Sequence, residues 1–170
     1  HSSYDRHGIE GVCDQMFGTT SIMDALTEEI MIVSYDYNKR EPRIFTKYGA
    51  RIYPELYITS LSNASQASSA APTYFDPKVI NGSVLIDGGV IANDPGMYAY
   101  LHSKDNLNKT NIRVISIGTG QPHPSKINPD DVTLFTWVSW IGTLLTVTEQ
   151  RTHEYLMARF PALKDNYRRF

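Results

Sequence analysis

Val84-Leu85-Ile86-Asp87-Gly88-Gly89-Val90-Ile91-Ala92-Asn93-Asp94-Pro95 is the stretch on which the fold turns. Its first three residues are a short apolar run of the kind that forms a buried strand. Asp87-Gly88-Gly89 stops that run. Asp94-Pro95 then opens a helix expected to reach His102, with Asp94 as N-cap and Pro95 at the first helical position. Upstream, Leu56 to Ala71 is rich in Ala and Ser, with Leu61, Ala64, Ala67 and Ala70 at helical spacing and Pro72 as the stop. Small residues along one face let such a helix lie close to a sheet. Downstream, Ile112 to Ile117 is the clearest strand, broken by Gly118-Thr119-Gly120.

Further out, Asp5 to Phe17 places Ile9, Val12, Cys13 and Met16 on one helical face, with Asp5 as cap and Gly18 as stop. Glu29 to Tyr37 and Arg43 to Tyr48 read as strands. Pro122, Pro124 and Pro129 mark an exposed loop. Asp131 to about Phe160 reads as a long helix with an interruption near Gly142. Within it, Val132 to Thr148 carries no charge but is short of the roughly 20 residues a membrane span needs. Thr133, Thr136, Ser139, Thr143 and Thr146 form a hydroxyl stripe opposite Leu134, Val138, Ile141 and Leu145. A helix packed on a sheet is the simpler reading; an interfacial helix with Trp137 and Trp140 near lipid headgroups is the other. Alternating strands and helices predict a layered α/β fold with some parallel pairing, and no linker composition divides the chain.

Composition narrows the function. With 41% hydrophobic and 20% charged residues, the 170-residue chain can bury a core and is not disordered. Sixteen Lys+Arg against 18 Asp+Glu leave a net charge of -2, so no basic nucleic-acid footprint exists at the level of the whole chain. A single cysteine, Cys13, excludes an internal disulfide framework and any multi-cysteine zinc site. The five histidines, His1, His7, His102, His123 and His153, form neither HxH nor HExxH, so no metal or cofactor is expected. The first residues show neither Met nor a signal-peptide pattern.

Asp87-Gly88-Gly89 is the segment best suited to chemistry. Asp-Gly is a common turn dipeptide, and a turn alone explains it. Alternatively, an Asp at the rim of an apolar strand, with two glycines that admit a backbone or a substrate, serves as a general base or as the partner of a nucleophile.

Several stretches resemble the second half of patatin-like lipid acyl hydrolases. Ala67-Ser68-Ser69-Ala70-Ala71-Pro72-Thr73-Tyr74-Phe75 is similar to "ATSAAPTYF" of that family. Leu85 to Pro95 resembles "LVDGGVAANNP", the block holding the family's catalytic aspartate, and Ile115 to Gly120 resembles "LSLGTG". Tyr4-Asp5-Arg6 with Phe17-Gly18, and Asn166-Tyr167-Arg168-Arg169-Phe170 against "NYLRIQ", extend the likeness over nearly the whole chain. The resemblance implies an α/β fold with a mostly parallel sheet flanked by helices, incomplete at both ends, residues 1–170 being the C-terminal portion of one domain. It implies lipid acyl esters as substrates, a Ser-Asp dyad with Asp87 as base supported by Gly88 and Gly89, and peripheral membrane contact.

Two departures stand out. Asp94 occupies a position where the family more often has Asn. The chain also contains no GxSxG and no Gly-rich oxyanion segment, both of which precede this region in the family. Ser68, Ser69 and Ser116 sit on helix or strand and not on a strained elbow, so none is a ready substitute. The expectation is therefore an acyl hydrolase portion that supplies Asp87, partnered by an N-terminal half and inactive alone. The alternative is a non-catalytic patatin-like scaffold or lipid-binding module. A cytoplasmic or membrane-peripheral location is favoured, with secreted or vacuolar locations left open. The sequons at Asn63, Asn81 and Asn108 do not decide the compartment.

Overall fold

The computed structural model describes residues 2–120, 130, 132–160 and 166–170. The proline-marked loop and the side chains of Trp137 and Trp140 lie outside the described residues. Two compact units are present, His1–Ile91 and Ala92–Phe170.

In the first unit the elements run α1 (His7–Phe17), β1 (Met31–Asp36), β2 (Glu41–Thr46), α2 (Lys47–Ile52), α3 (Pro54–Tyr57), α4 (Leu61–Ser68), β3 (Lys78–Ile80) and β4 (Ser83–Asp87). A short α5 (Gly89–Ala92) follows. The four strands form one sheet in the order β2-β1-β4-β3. Ile22, Phe45, Leu56, Leu61, Ala64, Ala67, Ile80 and Leu85 make the core.

The fold is mixed α/β, but this sheet is not mostly parallel. All three of its neighbour pairs are antiparallel. For two of the three pairs the reason is local. β3 and β4 are joined by Asn81-Gly82, both with left-handed φ (49° and 79°), the backbone that tight two-residue hairpins favour. β1 and β2 are joined by four residues. Asp36 Oδ1 accepts the N–H groups of Asn38 (3.2 Å) and Lys39 (3.1 Å) there, and Arg40 takes φ 57°. Connections this short cannot make a parallel crossover.

The helix expected over Leu56 to Ala71 is split. Leu56 belongs to the one-turn α3. α4 starts one residue after Ser60, whose hydroxyl accepts the Asn63 N–H at 3.1 Å. Ala64, Ala67 and Ala70 are all buried, as the small-residue stripe predicts. Thr46 ends β2 and caps α2 by accepting the Gly49 N–H at 2.8 Å. The chain start is held to the Ala71–Phe75 segment. Ser3 and Tyr4 donate to the Thr73 and Tyr74 carbonyls (2.9 Å each), and the Tyr4 and Tyr74 rings stack within 3° of parallel.

The second unit contains α6 (Gly96–Leu101), a π-type turn at His102–Asn106, β5 (Val114–Ser116), α7 (Leu134–Arg159) and β6 (Tyr167–Arg169). β5 and β6 are parallel, Val114 opposite Tyr167 and Ser116 opposite Arg169. α7 runs through Gly142 without interruption, and Thr133 and Thr136 form a reciprocal capping box at its start. Among the described side chains of α7 and its C-cap, Thr152, Leu156 and Phe160, spaced by four, are buried. Leu156, Phe160 and Tyr167 form the core, with Tyr100, Val114 and Tyr155 against it. No helix among the described residues is long and apolar enough to cross a membrane.

Gly88 sits where the packing of the first unit is tightest. A Cβ there would lie 2.0 Å from the Val33 carbonyl oxygen and 2.5 Å from its carbon. Those are β1 backbone atoms, which cannot step aside as a flexible side chain does. Gly88→Ala is expected to lower the free energy of unfolding by about 3 kcal/mol or more, read from urea denaturation. The reference is Gly11→Ala, whose Cβ meets nothing within 4 Å and which should not destabilise.

Candidate functional site

The Asp87 segment is built by three elements. β1 and β4 place Ser34 opposite Asp87 in the ladder. α4 lies against both strands through its alanines. At its end the Ala70 carbonyl accepts the Asp87 N–H (3.0 Å) and the Ser68 carbonyl accepts the Gly88 N–H (3.2 Å). Two side chains close the contact from within: Ser68 Oγ donates to the Val33 carbonyl at 2.6 Å, and Ser34 Oγ donates to the Ile86 carbonyl at 2.7 Å. Both peptides of Asp87-Gly88 are thus pinned, and the Asp87 side chain leaves a fixed point at the end of β4.

The Asp87 carboxylate is half-buried, and its Oδ1 accepts the Gly89 N–H at 2.6 Å. Burial pushes its pKa above the usual carboxylate range, and the Gly89 hydrogen bond pulls part of that back. An aspartate with raised proton affinity is a better base near neutral pH than an exposed one. The Gly89 contact also makes Asp87 the first residue of an Asx turn, so the turn reading and the base reading describe one geometry. The serines nearby are committed elsewhere. Ser34 and Ser68 donate to the carbonyls named above, and Ser69 Oγ donates to the Ser65 carbonyl at 2.7 Å.

The second unit holds a polar cluster that sequence reading missed. Asp94, only 3% exposed, accepts the Gly96 N–H (2.8 Å) through Oδ1, and through Oδ2 accepts Ser116 Oγ (2.8 Å) and Arg169 Nη1 (2.5 Å). Arg169 Nη2 reaches Glu149 Oε1 at 2.9 Å, and Thr152 Oγ1 donates to the Asp94 carbonyl at 3.2 Å. α6 starts one residue later than expected, with Pro95 and not Asp94 as its N-cap; Asp94 reaches the first helical N–H, that of Gly96, and its main partners are distant in sequence. Nearby, His153 Nδ1 lies 3.0 Å from the Tyr167 hydroxyl. Burial first, and the Asp94 charge second, raise the Tyr167 pKa, with Arg169 opposing. Ser116 faces a carboxylate, yet Arg169 also donates to that carboxylate and, at 2.7 Å, to Ser116 Oγ itself. One signal was available: an acidic residue where the resembling family has Asn, with an Arg in the later strand.

Asp87, Gly88 and Gly89 all fall within residues 2–100, which match the family model described as patatin-like phospholipase. The chain belongs to the patatin-like phospholipase family. Patatin-like protein 2 of Oryza sativa subsp. indica is 30% identical, the alignment covering 81% of this chain and 40% of that protein. Patatin-17 of Solanum cardiophyllum is 30% identical over 98% of this chain and 50% of its own length. A cGAMP-activated phospholipase of Escherichia coli is 25% identical over 95% of this chain and 50% of its own length. This patatin-like chain thus spans about half the length, or less, of these curated relatives. The family model ends inside α6, so the Asp94 cluster joins a residue of the matched segment to three that follow it, Ser116, Glu149 and Arg169.

Two measurements check this geometry. Asn at position 87 can still accept the Gly89 N–H and carries no charge to desolvate. A carboxyl with a raised folded pKa contributes most to stability when protonated, below its unfolded value of 3.8, and loses that contribution as pH rises through its folded pKa. Asp87→Asn should therefore melt no lower than wild type at pH 7, and any advantage should fade as pH falls towards 3.8, in thermal melts across pH. Arg169→Met should cost about 3 kcal/mol in urea denaturation, because it leaves Asp94 buried without its cation. Asp94→Asn should cost less, since Arg169 keeps Glu149.

Proposed function

We propose that this chain supplies the general base of a lipid acyl hydrolase, with Asp87 as that base. The observation that carries the reading is the Asp87 carboxylate: anchored on a rigid strand end, desolvated, and raised in proton affinity. The names of its relatives, patatins and a phospholipase, support glycerolipid acyl esters as the substrate class. The nucleophile is a GxSxG serine in a polypeptide segment outside these 170 residues. Asp87 accepts the hydroxyl proton as the serine oxygen attacks the acyl carbonyl carbon. The tetrahedral intermediate collapses to an acyl-serine, and the lipid alcohol leaves with the proton held by Asp87. Water then attacks the acyl-serine and Asp87 takes its proton; as the second tetrahedral intermediate collapses Asp87 returns that proton to the serine oxygen, releasing the fatty acid and the free serine. A carboxylate is a weak base, so oxyanion donors, also outside this chain, must carry much of the rate. Contact with a membrane surface follows from a lipid substrate and belongs to the same proposal.

The 170-residue chain alone is expected to show no turnover of a short-chain p-nitrophenyl ester above background. Turnover abolished by Ser116→Ala or Ser69→Ala would overturn that. In a protein that carries a GxSxG segment together with these residues, Asp87→Asn is expected to lower kcat by about a hundredfold or more with no loss of melting temperature. Wild-type turnover in Asp87→Asn would make Asp87 a turn residue only and the dyad assignment wrong.

A further inference from the structure

We infer that Ser68 is a positioning residue for Asp87: its hydroxyl and its carbonyl together turn the chain out of the β1–β4 ladder at the peptide that follows the base. The inference rests on the reading of Asp87 as the general base. It adds a residue that acts only through the geometry of that carboxylate.

The antiparallel ladder sets what is expected at Gly88. The Tyr37 N–H donates to the Val84 carbonyl at 2.9 Å, and the register places Tyr35 opposite Ile86. Bonded pairs in such a ladder recur every second residue, so the next would join the Gly88 N–H to the Val33 carbonyl. The Gly88 N–H goes elsewhere. It donates to the Ser68 carbonyl at 3.2 Å, and Ser68 Oγ donates to the Val33 carbonyl at 2.6 Å. One residue of α4 has thus taken both partners of the missing strand bond.

The exchange has two local causes. α4 ends at Ser68, and carbonyls at a helix end lack intrahelical donors, so the Ser68 carbonyl is available to the Gly88 N–H. Gly88 also turns the bare side of its Cα to the Val33 oxygen, where a Cβ would lie 2.0 Å away, so a hydroxyl from α4 reaches that oxygen in place of the strand. Without the Ser68 hydroxyl, the Val33 carbonyl is a vacant acceptor beside the Gly88 N–H and draws the strand end back towards the regular ladder. The Asp87 carboxylate sits at the peptide that would swing. Ser34 holds the near side of the base through the Ile86 carbonyl (2.7 Å), and Ser68 governs the far side. Proton transfer needs the carboxylate at hydrogen-bond distance and angle from the hydroxyl it serves. A swing of that peptide therefore lowers turnover without removing any reacting group.

NMR titration of the Asp87 carboxyl carbon in the full 170-residue chain gives a readout that needs no turnover. In Ser68→Ala the Asp87 midpoint is expected to fall towards 3.8, because the displaced carboxylate gains water. Ser69→Ala, whose hydroxyl bonds back to the Ser65 carbonyl (2.7 Å), should leave that midpoint in place. In a protein that also carries the GxSxG segment, Ser68→Ala should lower kcat about tenfold with KM little changed. Ser68→Thr, which restores an Oγ, should recover most of that loss. Added to Asp87→Asn, Ser68→Ala should cost nothing further. Ser68→Cys, close in size with a weak donor, carries the test if the alanine variant does not fold, and should show the same changes in part. An unmoved Asp87 midpoint overturns the inference alone. So does wild-type kcat in Ser68→Ala where Asp87→Asn loses activity, or an equal loss with and without the Asp87 carboxylate. Wild-type turnover in Asp87→Asn overturns the base reading and this inference with it.

Discussion

The first unit depends on how closely the end of β4 approaches the β1 backbone. Gly88 lies against Val33 with no room for a single side-chain carbon. Everything around that contact is shaped to permit it. Ala64, Ala67 and Ala70 let α4 come down onto the strands, and the hydroxyls of Ser34 and Ser68 donate to the Ile86 and Val33 carbonyls. The same contact orients Asp87. Its N–H is tied to Ala70 and its carboxylate to the Gly89 N–H, so the group has little freedom left. The rigidity that packing requires is also what a general base requires, because proton transfer depends on distance and angle.

The second unit is organised around charge as well as apolar contact. Arg169 joins Asp94 and Glu149, and Asp94 in turn holds Gly96 and Ser116. One guanidinium therefore links β6 to α7, to β5 and to the start of α6. Burying Asp94 at 3% exposure is tolerable because every oxygen has a donor and the charge has a fixed counter-ion. Such a network adds less to stability than its number of bonds suggests. Its larger effect is on uniqueness, since few arrangements of these strands and helices would satisfy all of its members at once.

The sequence read by itself determined the α/β class, the strand that runs into Asp87, the buried alanine face of α4 and the family. These are local or pattern properties. Apolar runs of fixed length, spacing by three and four, and contiguous blocks such as Leu85 to Pro95 are written in adjacent residues. The Asn81-Gly82 hairpin turn is equally local, and the antiparallel pairing of β3 and β4 follows from its left-handed backbone. What only the tertiary structure decided are relations between distant positions. Gly88 against Val33 and Asp94 with Arg169 are 55 and 75 residues apart, and no periodicity links them. The raised proton affinity of Asp87 belongs here too, because burial is a property of what the fold places around a residue and not of the residue or its neighbours in the chain.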